Sequence, residues 1–135
     1  MAPTPRRILI VDDSKDTRSM LRMQLELDNH EVTEAGNGLD AIKAMLQHRY
    51  DVALVDLVLP DISGYDVARK IRTVSAGQAV SLIALTGSGL YRDLDDALEA
   101  GFDAYVLKPV SAHALAALLA DPPRRVFSAG AARTV

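Results

Sequence analysis

Four short apolar runs in this sequence each end on a residue able to do polar chemistry. Residues 8–11 (ILIV) end at Asp12-Asp13, and 52–55 (VALV) end at Asp56. Residues 81–85 (SLIAL) end at Thr86, and 104–107 (AYVL) end at Lys108-Pro109. Together these ends offer three carboxylates, a hydroxyl and an amine. Three carboxylates on one rim repel: at about 4 Å and an effective dielectric near 20, each charged pair costs about 4 kcal/mol. Such a group must take up protons or hold a cation. An all-oxygen set with few carboxylates suits Mg2+. A carboxylate can also act as a nucleophile toward a phosphoryl group, provided the charge on the phosphoryl oxygens is offset. A cation on Asp12 and Asp13, and the Lys108 ammonium, would offset it, and Thr86 offers a hydroxyl to a phosphoryl oxygen. Each residue alone has a plainer reading. Asp12-Asp13 would be helix caps, Asp56 a turn residue, Thr86 a strand end and Lys108 a solvated lysine. Their coincidence at four run ends argues for a site.

The elements that must position these residues follow from periodicity. Continuous apolar runs indicate strands covered on both faces. Residues 31–35 (EVTEA) read as a fifth, weaker, edge-like strand. Between the strands lie helix candidates at 14–27, 38–47, 64–72, 90–100 and 111–120. Their apolar positions include Met20, Leu21 and Leu25, then Leu39, Ile42 and Leu46, then Val67 and Ile71, then Leu94, Ala97 and Leu98. Five strand–helix repeats imply an α/β fold: one domain with a doubly wound, five-stranded parallel sheet. In such sheets, ligands bind beyond the carboxyl ends of the strands, where the four polar ends fall.

Composition narrows the function. The chain has 135 residues, 49% hydrophobic, with no Cys and no Trp. Disulfides and thiolate metal sites are excluded. His30, His48 and His113 lack ligand spacing and read as surface or edge residues. Residues 8–120 hold 10 basic and 17 acidic residues, although the whole chain is only −3. An acidic body argues against direct nucleic-acid binding and agrees with a cation site. Residues 1–7 are charged but lack an apolar core behind them, and no run approaches a membrane span. A cytoplasmic protein is expected. Residues 121–135, with Pro122-Pro123 and then Arg, Ser, Gly and Ala, read as a tail or linker after a domain at 6–120.

The pieces I-L-I-V-D-D at 8–13, L-V-D-L-V-L-P-D-I-S-G at 54–64, A-L-T-G at 84–87 and L-K-P-V at 107–110 resemble the CheY-like receiver domain of two-component response regulators. The resemblance spans 6–120, in order and at matching spacing. It implies the flavodoxin-like (βα)5 fold with strand order 2-1-3-4-5. It implies phosphorylation of Asp56 by a sensor histidine kinase or histidine phosphotransfer protein. Mg2+ would be held by Asp12, Asp13, Asp56 and the backbone carbonyl of Val58. Lys108, with a cis bond to Pro109, would contact the phosphoryl group. Thr86 would move toward that group, and Tyr105 would be the aromatic that turns inward with it, a two-state element biased by added phosphate. Val58 and Ser88 match the positions that flank the attacking water and influence phosphate lifetime. The Val58 side chain offers that water no hydrogen bond, so a fairly long-lived phosphorylated state is expected.

Two helices suggest partner surfaces. Residues 14–27 carry two apolar stripes, Leu21/Leu25 and Met20/Met23/Leu27, an arc wide enough to leave some of it uncovered. Uncovered methionines suit adaptable docking, and Met20 and Met23 are candidate kinase-docking residues. Residues 111–120 (SAHALAALLA) carry no charge, where a surface helix normally does. That face is a candidate homodimer or partner contact. The downstream target has no signal in the sequence. The module is expected to be no enzyme beyond assisting its own phosphorylation and dephosphorylation. Within the resembled family, a stand-alone regulator and the receiver of a hybrid histidine kinase remain open. An Mg2+-dependent phosphatase with an aspartyl nucleophile is the alternative from another class. It wants a second acid two residues past the nucleophile, where Val58 stands. An FMN-binding flavodoxin-like protein is disfavoured, because Asp12-Asp13 would repel the FMN phosphate.

Overall fold

The computed structural model describes residues 4–74, 77, 79–87 and 91–123. Five strands and five helices alternate: β1 (Arg7–Val11), α1 (Lys15–Leu27), β2 (Glu31–Ala35), α2 (Gly38–Gln47), β3 (Val52–Asp56), α3 (Gly64–Thr73), β4 (Ser81–Thr86), α4 (Tyr91–Ala100), β5 (Ala104–Leu107) and α5 (Ala112–Ala120). All pairings are parallel, in the order β2-β1-β3-β4-β5, as the resemblance implies. The central strands are buried on both faces, which is why they read as unbroken apolar runs. β2 stands at the sheet edge and alternates between exposed and partly buried residues, in keeping with its weaker signal.

Two apolar layers flank the sheet. One holds Leu9, Val11, Val55, Met45, Val67 and Ile71 with others; the second holds Ile10, Leu21, Leu25, Leu54, Leu115 and Leu119 with others. Within a strand, neighbouring side chains enter opposite layers, as period two requires. Ser14, Asn37, Ser63 and Ser111 each cap a helix by accepting a backbone N–H. Ser14 and Ser111 are therefore caps rather than helical residues, and Ser14, not Asp12-Asp13, caps α1.

Two expectations are corrected. On α2, Leu39 and Leu46 are exposed, while Gly38, Ala41 and Met45 are buried. The inward face packs closest at Gly38, where a Cβ would lie 2.4 Å from Ile62. His30 is buried rather than on the surface, and its Nδ1 accepts the Arg6 N–H at 3.0 Å. Burial lowers its pKa from the ordinary 6.5; Asp28 opposes that and Arg6 adds to it. The unfolded chain therefore binds this proton more readily. The stability from a neutral His30 is complete above about pH 6.5 and falls as pH drops through that value toward the folded pKa. His30→Asn, which keeps an acceptor for Arg6, is expected to shrink the drop in urea midpoint between about pH 7.5 and about pH 5.5. An unchanged pH slope would remove His30 as its source.

On α1, Leu21 and Leu25 are buried, whereas Met20, Met23 and Leu27 are exposed. The exposed face of α5 consists of Ala112, His113, Ala116, Ala117 and Ala120. Among the described residues, no helix is long and apolar enough to cross a membrane.

Candidate functional site

The four polar strand ends meet at one rim of the sheet. The Asp12 N–H still donates to Ala35 O, at 3.1 Å, so Asp12 leaves β1 with its backbone in register. Its carboxylate is fully buried; Oδ1 accepts the Ser14 N–H at 2.9 Å and Oδ2 accepts Lys108 Nζ at 2.8 Å. Asp13 is exposed beside it. Asp56 is the last residue of β3 and is buried. Oδ1 accepts the Val58 N–H at 3.0 Å, and Oδ2 accepts Lys108 Nζ at 2.7 Å. Lys108 follows β5, its N–H donates to Thr86 O at 2.8 Å, and its bond to Pro109 is cis. Thr86 ends β4 and is buried. Tyr105 is half-buried on β5 and touches both apolar layers. It pairs with Ala84, two residues before Thr86.

Carboxylate oxygens of Asp12, Asp13 and Asp56 all lie within 4.8 Å of one another. Burial raises the Asp56 pKa; hydrogen bonds from Lys108 and the Val58 N–H pull it down without cancelling the rise, and Asp12 adds to it. Burial would lower Lys108, but its bonds to Asp12 and Asp56 outweigh that and raise it. The two rise for different reasons: burial lifts Asp56 beyond what Lys108 and Val58 offset, while two carboxylates lift the lysine. The set is thus oxygen-rich, underneutralised and partly open through Asp13. That donor chemistry fits a hard divalent cation.

Some of the site's supports escaped the sequence reading. Gly64 packs on the backbone of the acid: a Cβ there would sit 2.3 Å from Asp56 O and 2.7 Å from Leu57 Cα. Neither atom is a side chain that can yield. Asp61 accepts the N–H groups of Gly38 and Leu39, at 2.8 and 2.9 Å, tying the loop after β3 to the start of α2. Arg18 NH1 donates to Asp12 O at 2.6 Å. Gly64 and Asp61 lay within the quoted L-P-D-I-S-G stretch, and Arg18 lies one helical turn past the Ser14 cap, but none carries a chemical signature by itself. Ser88, Leu90 and residues 124–135 lie outside the described residues.

Comparison with known proteins places this geometry. The response regulator receiver domain family matches residues 8–120. The transcriptional regulatory protein ResD of Bacillus subtilis is 41% identical over 105 residues, 78% of this chain and 42% of ResD. The chain spans less than half the length of the curated relatives it matches. Among solved structures, the receiver domain of the Pseudomonas aeruginosa sensor histidine kinase PA1611 has magnesium coordinated in its active-site cleft. It superposes with a TM-score of 0.79 and 32% identity, over 86% of this chain and 95% of that one. A chain in the Saccharomyces cerevisiae complex of the histidine phosphotransfer protein Ypd1 with the receiver domain of Ssk1 superposes with a TM-score of 0.81 and 28% identity, covering 88% of each. Fold, motif order and family match agree, and the chain belongs to the response regulator receiver domain family.

Proposed function

We propose that residues 6–120 form a phosphorylation-activated signalling module, followed by a tail or linker at 121–135, and that Asp56 accepts a phosphoryl group from a histidine kinase or phosphotransfer protein. The observation that carries this reading is the meeting of three carboxylates within 4.8 Å with an ammonium 2.7 Å from Asp56. Asp12, Asp13, Asp56 and the Val58 carbonyl would hold Mg2+. Mg2+ bound there would offset negative charge on the phosphoryl oxygens. An Asp56 carboxylate oxygen forms a bond to phosphorus as the phosphorus–nitrogen bond of the donor breaks, and the departing imidazole takes a proton. The Val58 N–H holds one Asp56 oxygen and so orients the nucleophile. Lys108 places its charge beside that carboxylate, where the incoming oxygens must settle. Thr86 offers its hydroxyl to one of them, and Tyr105 follows Thr86 inward.

The test is intact-mass measurement with a phosphoramidate donor and Mg2+. One phosphoryl group should add to the native protein and none to Asp56→Asn. Addition to both would remove Asp56 as the acceptor, and addition to neither would remove the reading. The phosphatase alternative loses ground because Val58 offers no second acid, and none of the relatives named above is a phosphatase.

Val58 is 78% exposed at the site's mouth, and its side chain cannot hold an attacking water by hydrogen bonding. The phosphorylated state should outlast a scale of seconds in an autodephosphorylation assay; decay within seconds would refute this. The exposed Met20/Met23 face of α1 is the proposed docking surface for the phosphodonor protein. Met23→Glu should slow transfer from that protein at least several-fold and leave phosphorylation by phosphoramidate unchanged. Equal slowing of both would remove the docking role. Output then passes through protein contacts in the cytoplasm, or through onward phosphotransfer. The acidic body supports protein contacts over direct nucleic-acid binding. The uncharged face of α5 is proposed as the contact with a second copy.

A further inference from the structure

Asp13 presents a difficulty that the strand ends do not resolve. Asp12 is held by its own hydrogen bonds, and Asp56 is held by Val58 and Lys108. Asp13 is exposed, and among the described residues its carboxylate has no hydrogen bond of its own. Its aim must come from the backbone. The peptide joining Asp12 to Asp13 is planar, so fixing the Asp12 carbonyl oxygen fixes the direction in which the chain enters Asp13. That oxygen accepts Arg18 NH1 at 2.6 Å.

Arg18 is itself held from the far side. Its Nε donates to Glu34 Oε1 at 3.0 Å, and both side chains are largely buried. The other Glu34 oxygen accepts Arg22 NH1 at 2.7 Å. Glu34 precedes Ala35, whose carbonyl accepts the Asp12 N–H. Edge strand β2 thus grips Asp12 twice, directly through Ala35 and through the guanidinium by way of Glu34. Gly36 leaves room for this arrangement: a Cβ there would lie 3.3 Å from Arg18 NH1.

We infer that Arg18, braced by Glu34, is a positioning residue that sets the Asp12–Asp13 turn for the divalent cation. The inference rests on the metal reading proposed above. Arg18 acts through the backbone and donates to no ligand carboxylate. The sign of its effect separates this role from plain electrostatics. Removing a positive charge beside an acid cluster should tighten a dication. Removing the support of a ligand should loosen it, typically by tenfold or more for an outer-shell partner.

The test is calorimetric titration of the whole chain with Mg2+. Arg18→Ala is expected to weaken Mg2+ binding by about tenfold. Arg18→Lys keeps the charge, but a single ammonium cannot reproduce the planar two-point fork, so it should also weaken binding. Melting in chelator checks that each variant is folded, and Arg18→Lys decides the matter if the alanine variant is not. Binding as tight as native or tighter in Arg18→Ala would overturn the inference, as would full recovery in Arg18→Lys, which would show that the two-point fork braced by Glu34 is not needed. A native protein that takes up no Mg2+ would instead defeat the metal reading itself, and the clasp with it.

Discussion

Replacing Lys108 by alanine is expected to slow phosphorylation of Asp56 by about a hundredfold while tightening Mg2+ binding. The two effects have opposite signs for one reason. In the resting site, the ammonium lies 2.8 Å from Asp12 and 2.7 Å from Asp56. It therefore competes with any cation for those oxygens, and its loss leaves the carboxylates to the metal. During transfer the same charge is wanted elsewhere, on the phosphoryl oxygens, where a preorganised donor contributes most. Removing it costs rate even though the metal is held better. Lys108→Arg should not restore the rate, because a planar guanidinium does not replace a compact ammonium in a site this close. A mass-resolved time course with phosphoramidate, beside a Mg2+ titration, reads both effects. A native rate in Lys108→Ala, or weaker Mg2+ binding, would refute the role.

The largest stability effect is expected at the opposite end of the sheet. Arg72, in the last turn of α3, donates to the carbonyls of Gly77, Val80 and Gly101 and to Asp103 Oδ2 at 2.7 Å. Asp103 is 1% exposed, and the same oxygen accepts the Leu82 N–H at 2.9 Å. One guanidinium thus joins the end of α3, the entry to β4 and the connection from α4 to β5. Arg72→Ala takes the guanidinium away from a buried carboxylate and from three carbonyls. Breaking a buried pair from one side costs about 3–5 kcal/mol. Urea denaturation should show a loss in that range for Arg72→Ala. Asp103→Asn, which keeps its acceptor oxygen, should lose less. A loss under about 1 kcal/mol for Arg72→Ala would show that the carbonyls and Asp103 find other partners.

What could be read from the sequence was what recurs locally. The buried strands stood out because parallel strands covered on both faces have no polar side, and each apolar run gives way to a polar residue at the rim. Asp56 and Thr86 prove to be the last residues of β3 and β4, one position further than the apolar runs suggested. α2 misled because a stripe of large residues looks like a core face. The inward face instead carries Gly38, Ala41 and Met45, with Gly38 tight against Ile62 and Val67, and Leu39 and Leu46 are left outside. The buried polar groups were hidden for a different reason. Arg72 meets Asp103 31 residues away, and Arg18 meets Glu34 16 residues away. No local pattern distinguishes such an arginine from a solvated one. The same holds for His30, which meets the Arg6 N–H 24 residues away.

The packing of Gly64 against Asp56 has a mechanical consequence. The peptide that carries the acceptor is pinned on both sides: Gly64 backs it with no room to spare, the Leu57 N–H is tied to Leu85 O, and Leu57 O is tied to the Gly64 N–H. In the proposed switch, a phosphoryl group arriving at Asp56 would push against an anvil. With no room behind Asp56, the response would have to come from the ends of β4 and β5, with Thr86 and Tyr105 as the lever and Asp56 as the fulcrum.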